Sequence, residues 1–428
     1  MIPNSVPSSL TNFLPWPTIT IPALLLLGWV GVVRTLRWRR YKHIHRVYGP
    51  KFEAGMLTPE DAQEVLTNLT RWEMPLIMEY AYALALFKTY GIPTISKILV
   101  ATKEFSSTEG ISKRYADTMI LIATWVACPI SGLAANATGE KPEQDPRADL
   151  AIARTNWLHS HYPIKNDDYL YTLALFMFEP ARWAARYGWR PLSDLENEAL
   201  FIFWLEIGKR MNFKNLPENR EDFQQWVSYY EDICMVPDKN NKHVAYYTTE
   251  ELIFWVPKTF GLKELARRAV FALIDQNVRI AMMEPEQPQW IYTLFDTLLR
   301  IWAWQMRYLH LPRIRPYGQV AYELPKFKPG DEPLLRPNFF QPKPWYKPEA
   351  AWFGGWLKDW LLVQVGWYSH MPSKNLKSEG YRLDTTGPLK FEHDGQEETY
   401  QMAEKMLGCP IQAPWRKRLN SDVKVNGI

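Results

Sequence analysis

Eight histidines occur in this chain of 428 residues, and their surroundings sort them. His43 and His45 lie in a basic stretch, where surface or headgroup contacts account for them. His243, His310, His370 and His393 fall near expected loops or in a proline-rich tail. His159 and His161 remain. In the run Ala151-Ile152-Ala153-Arg154-Thr155-Asn156-Trp157-Leu158-His159-Ser160, His159 shares a helix face with Ile152 and Thr155, seven and four positions earlier. A largely apolar face bearing one imidazole suits a buried axial ligand of haem iron. His161 is displaced by about 200° around the helix, so the two imidazoles cannot serve one ion from the same face. Taken alone, a histidine like His159 is more often a satisfied core residue.

A second cluster is Ser112-Lys113-Arg114-Tyr115-Ala116-Asp117-Thr118, which leads into an apolar run. Arg114 and Thr118 are four positions apart and stack on one helix face, where they can hold a guanidinium and a hydroxyl over bound oxygen. The competing reading is a helix cap or a surface ion pair of Lys113 or Arg114 with Asp117. Other enzyme signatures are missing. There is no Cys-x-x-Cys-His, no cytochrome P450 cysteine loop, no His-Glu-x-x-His, no Gly-x-Ser-x-Gly and no Walker loop. Five positions after His161 stands Asn166, where a membrane acyltransferase of the His-x4-Asp type needs aspartate. Spacing nominates His159 without naming a reaction.

The elements that must position these residues are helical. Between residues 57 and 320 apolar side chains recur at three- and four-residue spacing, with few alternating β-branched runs, which predicts an all-α body. Thr58-Pro59-Glu60-Asp61 and Ser193-Asp194-Leu195-Glu196 read as helix starts, the second with a capping box. Loops are expected at Gly91-Ile92-Pro93, at 139–146, at 216–219 and at 236–242. Residues 321–428 form a proline-rich, irregular tail, in which 352–367 carries five large aromatics and reads as an amphipathic helix on a membrane or against the body.

Residues 1–33 contain no charged side chain and no histidine, and 16–33 are almost wholly apolar. That run is roughly 27 Å long as a helix, enough to cross a thin bilayer once. Arg34, Arg37, Arg39, Arg40, Lys42 and Arg46 follow, and such clusters stay cytosolic. The expected order is a short lumenal segment (1–15), a single-pass transmembrane helix (16–34), a basic juxtamembrane segment (35–56), the helical body (57–320) and the tail. A cleavable leader would need positive charge before the run and a small-residue cleavage site after it, and neither is present. Sequons at Asn68 and Asn136 pull the other way, toward a lumenal body.

Composition narrows the partners. Fifty basic residues against 46 acidic ones give no sign of a nucleic-acid surface. Cys128, Cys234 and Cys409 are too scattered for a disulfide framework or a cysteine metal site. Aromatics make up 14% of the chain, which suits apolar pockets and membrane interfaces alike.

The phrases Phe87-Lys88-Thr89-Tyr90-Gly91-Ile92-Pro93-Thr94-Ile95-Ser96, Lys113-Arg114-Tyr115-Ala116-Asp117-Thr118, Ala153-Arg154-Thr155, Leu158-His159-Ser160 and Tyr169-Leu170-Tyr171-Thr172-Leu173-Ala174-Leu175-Phe176 follow one another in order. Leu192-Ser193-Asp194-Leu195-Glu196, Tyr308-Leu309-His310-Leu311-Pro312-Arg313 and Gly387-Pro388 continue the series. In these the chain resembles the fungal ER-bound oxygenases of the mpaB type, which are related to the catalytic domain of the bacterial rubber oxygenase (latex-clearing protein). The resemblance implies a globin-related helical core holding a b-type haem, with His159 as the iron ligand and Arg154 and Thr155 beside it in the cofactor site. It puts Arg114, Thr118 and Asp117 at the catalytic positions. Rubber oxygenases carry a lysine where Asp117 stands, and a further family histidine falls at Leu173. The activity implied is oxidative cleavage, with molecular oxygen, of a carbon–carbon double bond in a farnesylated intermediate of secondary metabolism at the endoplasmic-reticulum membrane. Two other readings stay open: a haem-free lipid hydrolase or transferase, and an accessory protein that binds a hydrophobic intermediate without turnover.

Overall fold

The computed structural model describes residues 16–105, 107–134, 143–328 and 331–416. Among these there is no strand, only two isolated bridges, Leu133 with Gln144 and Leu335 with Tyr381. Fifteen α-helices run in the order α1 (Trp16–Glu53), α2 (Pro59–Asn68), α3 (Pro75–Thr89), α4 (Pro93–Ala101), α5 (Thr108–Ala127), α6 (Arg147–Ser160), α7 (Asn166–Tyr187) and α8 (Asp194–Arg210). They continue with α9 (Arg220–Cys234), α10 (Lys239–Leu252), α11 (Leu262–Leu273), α12 (Gln276–Ala281), α13 (Gln289–Tyr308), α14 (Phe353–Gln364) and α15 (Gln396–Leu407). The expected all-α class is what the chain adopts.

Local signals set several boundaries. Thr58 accepts from the Asp61 amide and Asp61 returns the bond to the Thr58 amide, starting α2. Ser193 and Glu196 do the same for α8. Gly91-Ile92-Pro93 breaks the chain between α3 and α4, which meet at 92°. The loop expected at 236–242 is shorter than that, because Asp238 caps the Asn240 amide and α10 begins at Lys239.

In the core α3 lies along α7, α2 along α8, α5 against α6 and α4 against α10. α1 is long and apolar enough to cross a membrane, with Leu24 to Leu27 exposed. As a helix it continues past the expected end of the membrane span near residue 34 and runs unbroken to Glu53. The reason is packing. Val33, Arg37 and Ile44 are buried on the body, Arg37 donates to the carbonyls of His310 and Leu311, and Arg40 lies over the Trp72 ring. His45 meets the Ser193 hydroxyl at 2.9 Å. Several of the basic residues that follow the apolar run therefore hold the body. Asn68 of the first sequon is buried, and Asn136 lies outside the described residues.

The tail is part of the core. Trp345, Tyr346, Tyr381, Leu383, Tyr400 and Trp415 are all buried, and α15 packs along α6. Gly387 and Gly395 allow the approach: both have positive φ, and a Cβ on either would strike Leu158 or Trp157 of α6. Between them Arg154 is fully buried and donates to the carbonyls of Thr386, Phe391 and Asp394 at 2.7–2.9 Å. Arg154→Ala would leave three carbonyls without a donor, so we expect a loss of about 2–3 kcal/mol, measured by denaturant unfolding of the full chain in detergent. An unchanged midpoint would mean that the tail does not depend on this anchor.

Candidate active site

One cavity lies among α3, α4, α5, α6, α7, α8 and α10, and it holds about 1370 Å³ free of protein atoms, part of it open to solvent. Each helix contributes a face read at helical spacing. From α5 come Ile111, Arg114, Tyr115, Thr118, Leu121, Ile122 and Trp125; from α6, Thr155 and His159; from α7, Asp168, Tyr169, Thr172, Leu173 and Phe176. Four of the residues nominated by sequence thus converge on one space: Arg114, Thr118, Thr155 and His159.

Two do not reach it. Asp117, one position from Thr118, turns to the other side of α5. It takes the Lys113 ammonium at 2.7 Å and the Tyr346 hydroxyl at 2.5 Å, and Lys113 also donates to the Gly387 carbonyl. Arg154 is committed to the tail carbonyls described above. Both are ties between the helical body and the tail. His161 is also accounted for, by the Trp157 carbonyl at 2.9 Å and contact with Phe391.

The cavity wall is greasier than its residue types suggest. Thr89, Thr118, Thr155, Thr172 and Thr248 all line it, and each donates its hydroxyl proton to a carbonyl of its own helix. Their remaining lone pairs can accept, but none has a proton left to offer. Phe176 stacks on Trp204 at 4.7 Å, with Trp125 behind, and Leu173 lies on the same wall. α8 can come this close to Leu173 because residue 208 is glycine, whose added Cβ would meet Leu173 Cδ2 at 2.6 Å.

Two polar groups stand out in this setting. The Arg114 guanidinium has no ion-pair or hydrogen-bond partner among the described residues, while the backbone carbonyl of Arg114 takes the Thr118 hydroxyl. His159 packs beside Tyr169, and its Nδ1 is buried with no hydrogen-bond partner. Burial, and then the nearby Arg114 charge, push its pKa down from the ordinary 6.5 to about 3. The imidazole is therefore neutral, which is the form a metal ligand needs.

This depression has a sign that can be checked. Below about 6.5 the unfolded chain binds a proton that the folded chain refuses, so the stability His159 permits is full above that pH and falls as pH drops toward 3. The slope is at most about 1.4 kcal/mol per pH unit. In cofactor-free protein the stability of His159→Phe relative to wild type should shift in favour of the variant between about pH 7 and pH 5. A pH-independent difference in chemical denaturation would contradict a neutral buried imidazole.

The donor set limits what can bind. Among the described residues no group of three or more His, Cys, Asp or Glu side chains could hold a metal ion. A single neutral imidazole facing an aromatic, apolar cavity instead fits a metal whose other ligands come with it, as a porphyrin supplies them. The unpaired guanidinium fits an anionic group or developing negative charge in the same space. Sequence alone missed Trp125, Phe176, Trp204, Tyr90 and Thr248, although their three-to-four-residue spacing from Ile122, Leu173, Ile207, Leu86 and Leu252 respectively was available.

A family model described as ER-bound oxygenase mpaB/B'/Rubber oxygenase, catalytic domain, matches residues 96–307, a span that contains Arg114, Thr118, Thr155 and His159. The ER-bound oxygenase mpaB' of Penicillium brevicompactum is 30% identical over 94% of this chain and 94% of its own length. The ER-bound oxygenase mpaB of Penicillium roqueforti (strain FM164) is 35% identical over 61% of this chain and 89% of its own length. The ER-bound oxygenase mpaB of Penicillium brevicompactum is 32% identical, covering 72% of each.

Proposed function

The chain belongs to the family of the ER-bound oxygenases mpaB and mpaB' and the rubber oxygenases, and within it we propose a membrane-anchored, haem-dependent oxygenase that cleaves a carbon–carbon double bond in the prenyl chain of a hydrophobic secondary-metabolite intermediate. The observation that carries this reading is the pairing, on one apolar wall, of a neutral imidazole with an unpaired guanidinium. His159 would hold the iron of haem b, with Thr155 on the same helix face. Bound there, haem supplies the activation of molecular oxygen. Arg114 offers fixed positive charge where electron density grows on oxygen, and Thr118 offers lone pairs that can orient a donor.

The apolar walls do the rest. They exclude water and leave the alkene no polar partner to prefer over the reaction centre. One alkene and one dioxygen molecule give two carbonyl groups, so the cleavage balances without an added reductant. α1 would keep the body at the endoplasmic-reticulum membrane, on the cytosolic side, where a prenylated substrate partitions. Asn68 is buried in the folded body, which removes one argument for the lumenal side.

The test is product analysis. Full-length protein in detergent, supplemented with haem and given a farnesylated phenol under ¹⁸O-labelled dioxygen, should yield a chain-shortened carbonyl compound carrying the label. Intact substrate, with haem bound, would overturn the assignment.

A further inference from the structure

The cavity of His159 and Arg114 has a neighbour. Leu86 on α3 and Ile122 on α5 form part of its wall and also part of the wall of a second chamber, with about 620 Å³ free of protein atoms and partly open to solvent. This chamber lies between the same two helices on the adjoining stripe, where Met78 and Tyr82 face Met119, Ala123 and Val126. The paired small residues Ala123 and Ala127 leave it room.

Its mouth is polar but already satisfied. The segment that follows α13 crosses it: the Tyr317 amide donates to the Arg71 carbonyl, the Tyr317 hydroxyl donates to Glu79, and Gln319 donates to Glu79 at 2.6 Å. Arg71 in turn donates to the Tyr317 carbonyl and lies over the Tyr322 ring. With these groups engaged at the rim, the interior offers almost only aliphatic, thioether and aromatic surface, which suits a hydrocarbon chain. Between the chambers stand two aliphatic side chains, and a change of rotamer is a low barrier compared with moving a helix.

We infer that the second chamber seats the distal isoprene units of the substrate, which pass between Leu86 and Ile122, so that these two residues and the chamber behind them set the length of chain accepted. This rests on the first cavity being the reaction site. The scissile bond then lies on the His159 side of the Leu86–Ile122 partition and the remainder of the tail on the Met119–Ala123 side. Apolar area buried per added unit translates into affinity until the chamber is full.

The experiment measures binding, without turnover, to the full chain in detergent. Phenols carrying one, two, three or four isoprene units are titrated by calorimetry against wild type, Leu86→Trp and Ala123→Trp. Wild-type affinity should rise with chain length, and in either variant the ratio of longest-chain to shortest-chain affinity should fall by at least about tenfold. Ala123→Trp fills the second chamber from its α5 side and serves where Leu86→Trp lowers the melting temperature. A wild-type affinity indifferent to chain length, or a variant that weakens all chain lengths by the same factor, overturns the inference. Failure of the haem or product tests would count against the oxygenase reading and leave this chain-length dependence as it is.

Discussion

Haem-supplemented protein carrying His159→Ala is expected to show no Soret band, or a displaced one of much lower intensity, where wild type shows a full band. Among the described residues His159 is the only histidine lining the cavity. Burial and the Arg114 charge hold its pKa near 3, so protons do not compete with a metal for the ring at neutral pH. Its Nδ1 has no protein partner, so the ring gives up no hydrogen bond when it is removed. The loss in the variant should therefore be one of ligation more than of folding. Free imidazole added to His159→Ala tests this directly: it should enter the vacated space and restore part of the band, which a misfolded protein would not allow. Wild type that gains no band with haem would sink the haem reading itself, whatever the variant does.

The parts of this molecule legible in the sequence are those fixed by near neighbours. The Thr58–Asp61 and Ser193–Glu196 boxes close over three residues, and the bend at Gly91-Ile92-Pro93 is set by backbone restriction, so both could be read directly. Arg114 with Thr118, and Thr155 with His159, were placed on common faces because four residues make about one helical turn. That the two faces meet was carried by the family order, not by either spacing. Asp117 and Arg154 show why the remainder was hidden. Their partners, Tyr346 and the carbonyls of Thr386, Phe391 and Asp394, lie more than two hundred positions away, in a tail whose proline content reads as irregular chain. The local pairing of Asp117 with Lys113, four positions away, was legible as a competing reading; its burial under Tyr346 of the tail was not. The same holds for α1, where Arg37 and Arg40 look like headgroup contacts until His310, Leu311 and Trp72 are brought beside them.

Arg114→Ala should keep the haem band and lose most turnover, with kcat falling by roughly 10²–10³-fold. The expectation follows from what Arg114 lacks. Most other arginines in the core are engaged: Arg147 by Asp145, Arg190 by Glu196, Arg154 by three carbonyls. An unpaired guanidinium contributes no ion pair or hydrogen bond to the resting fold among the described residues, so its removal should lower stability little. What remains is its field on the space beside His159. That field has a readout independent of turnover, because Arg114 is one of the two causes that depress the His159 pKa. In cofactor-free Arg114→Ala the imidazole should titrate at a higher pH than in wild type, as followed by NMR of the ring protons. Arg114→Lys keeps the charge but not the planar fork, so it should hold the His159 titration near the wild-type value while restoring only part of kcat. An Arg114→Ala protein with wild-type turnover would remove Arg114 from the chemistry, and one with an unmoved His159 titration would separate the two residues electrostatically.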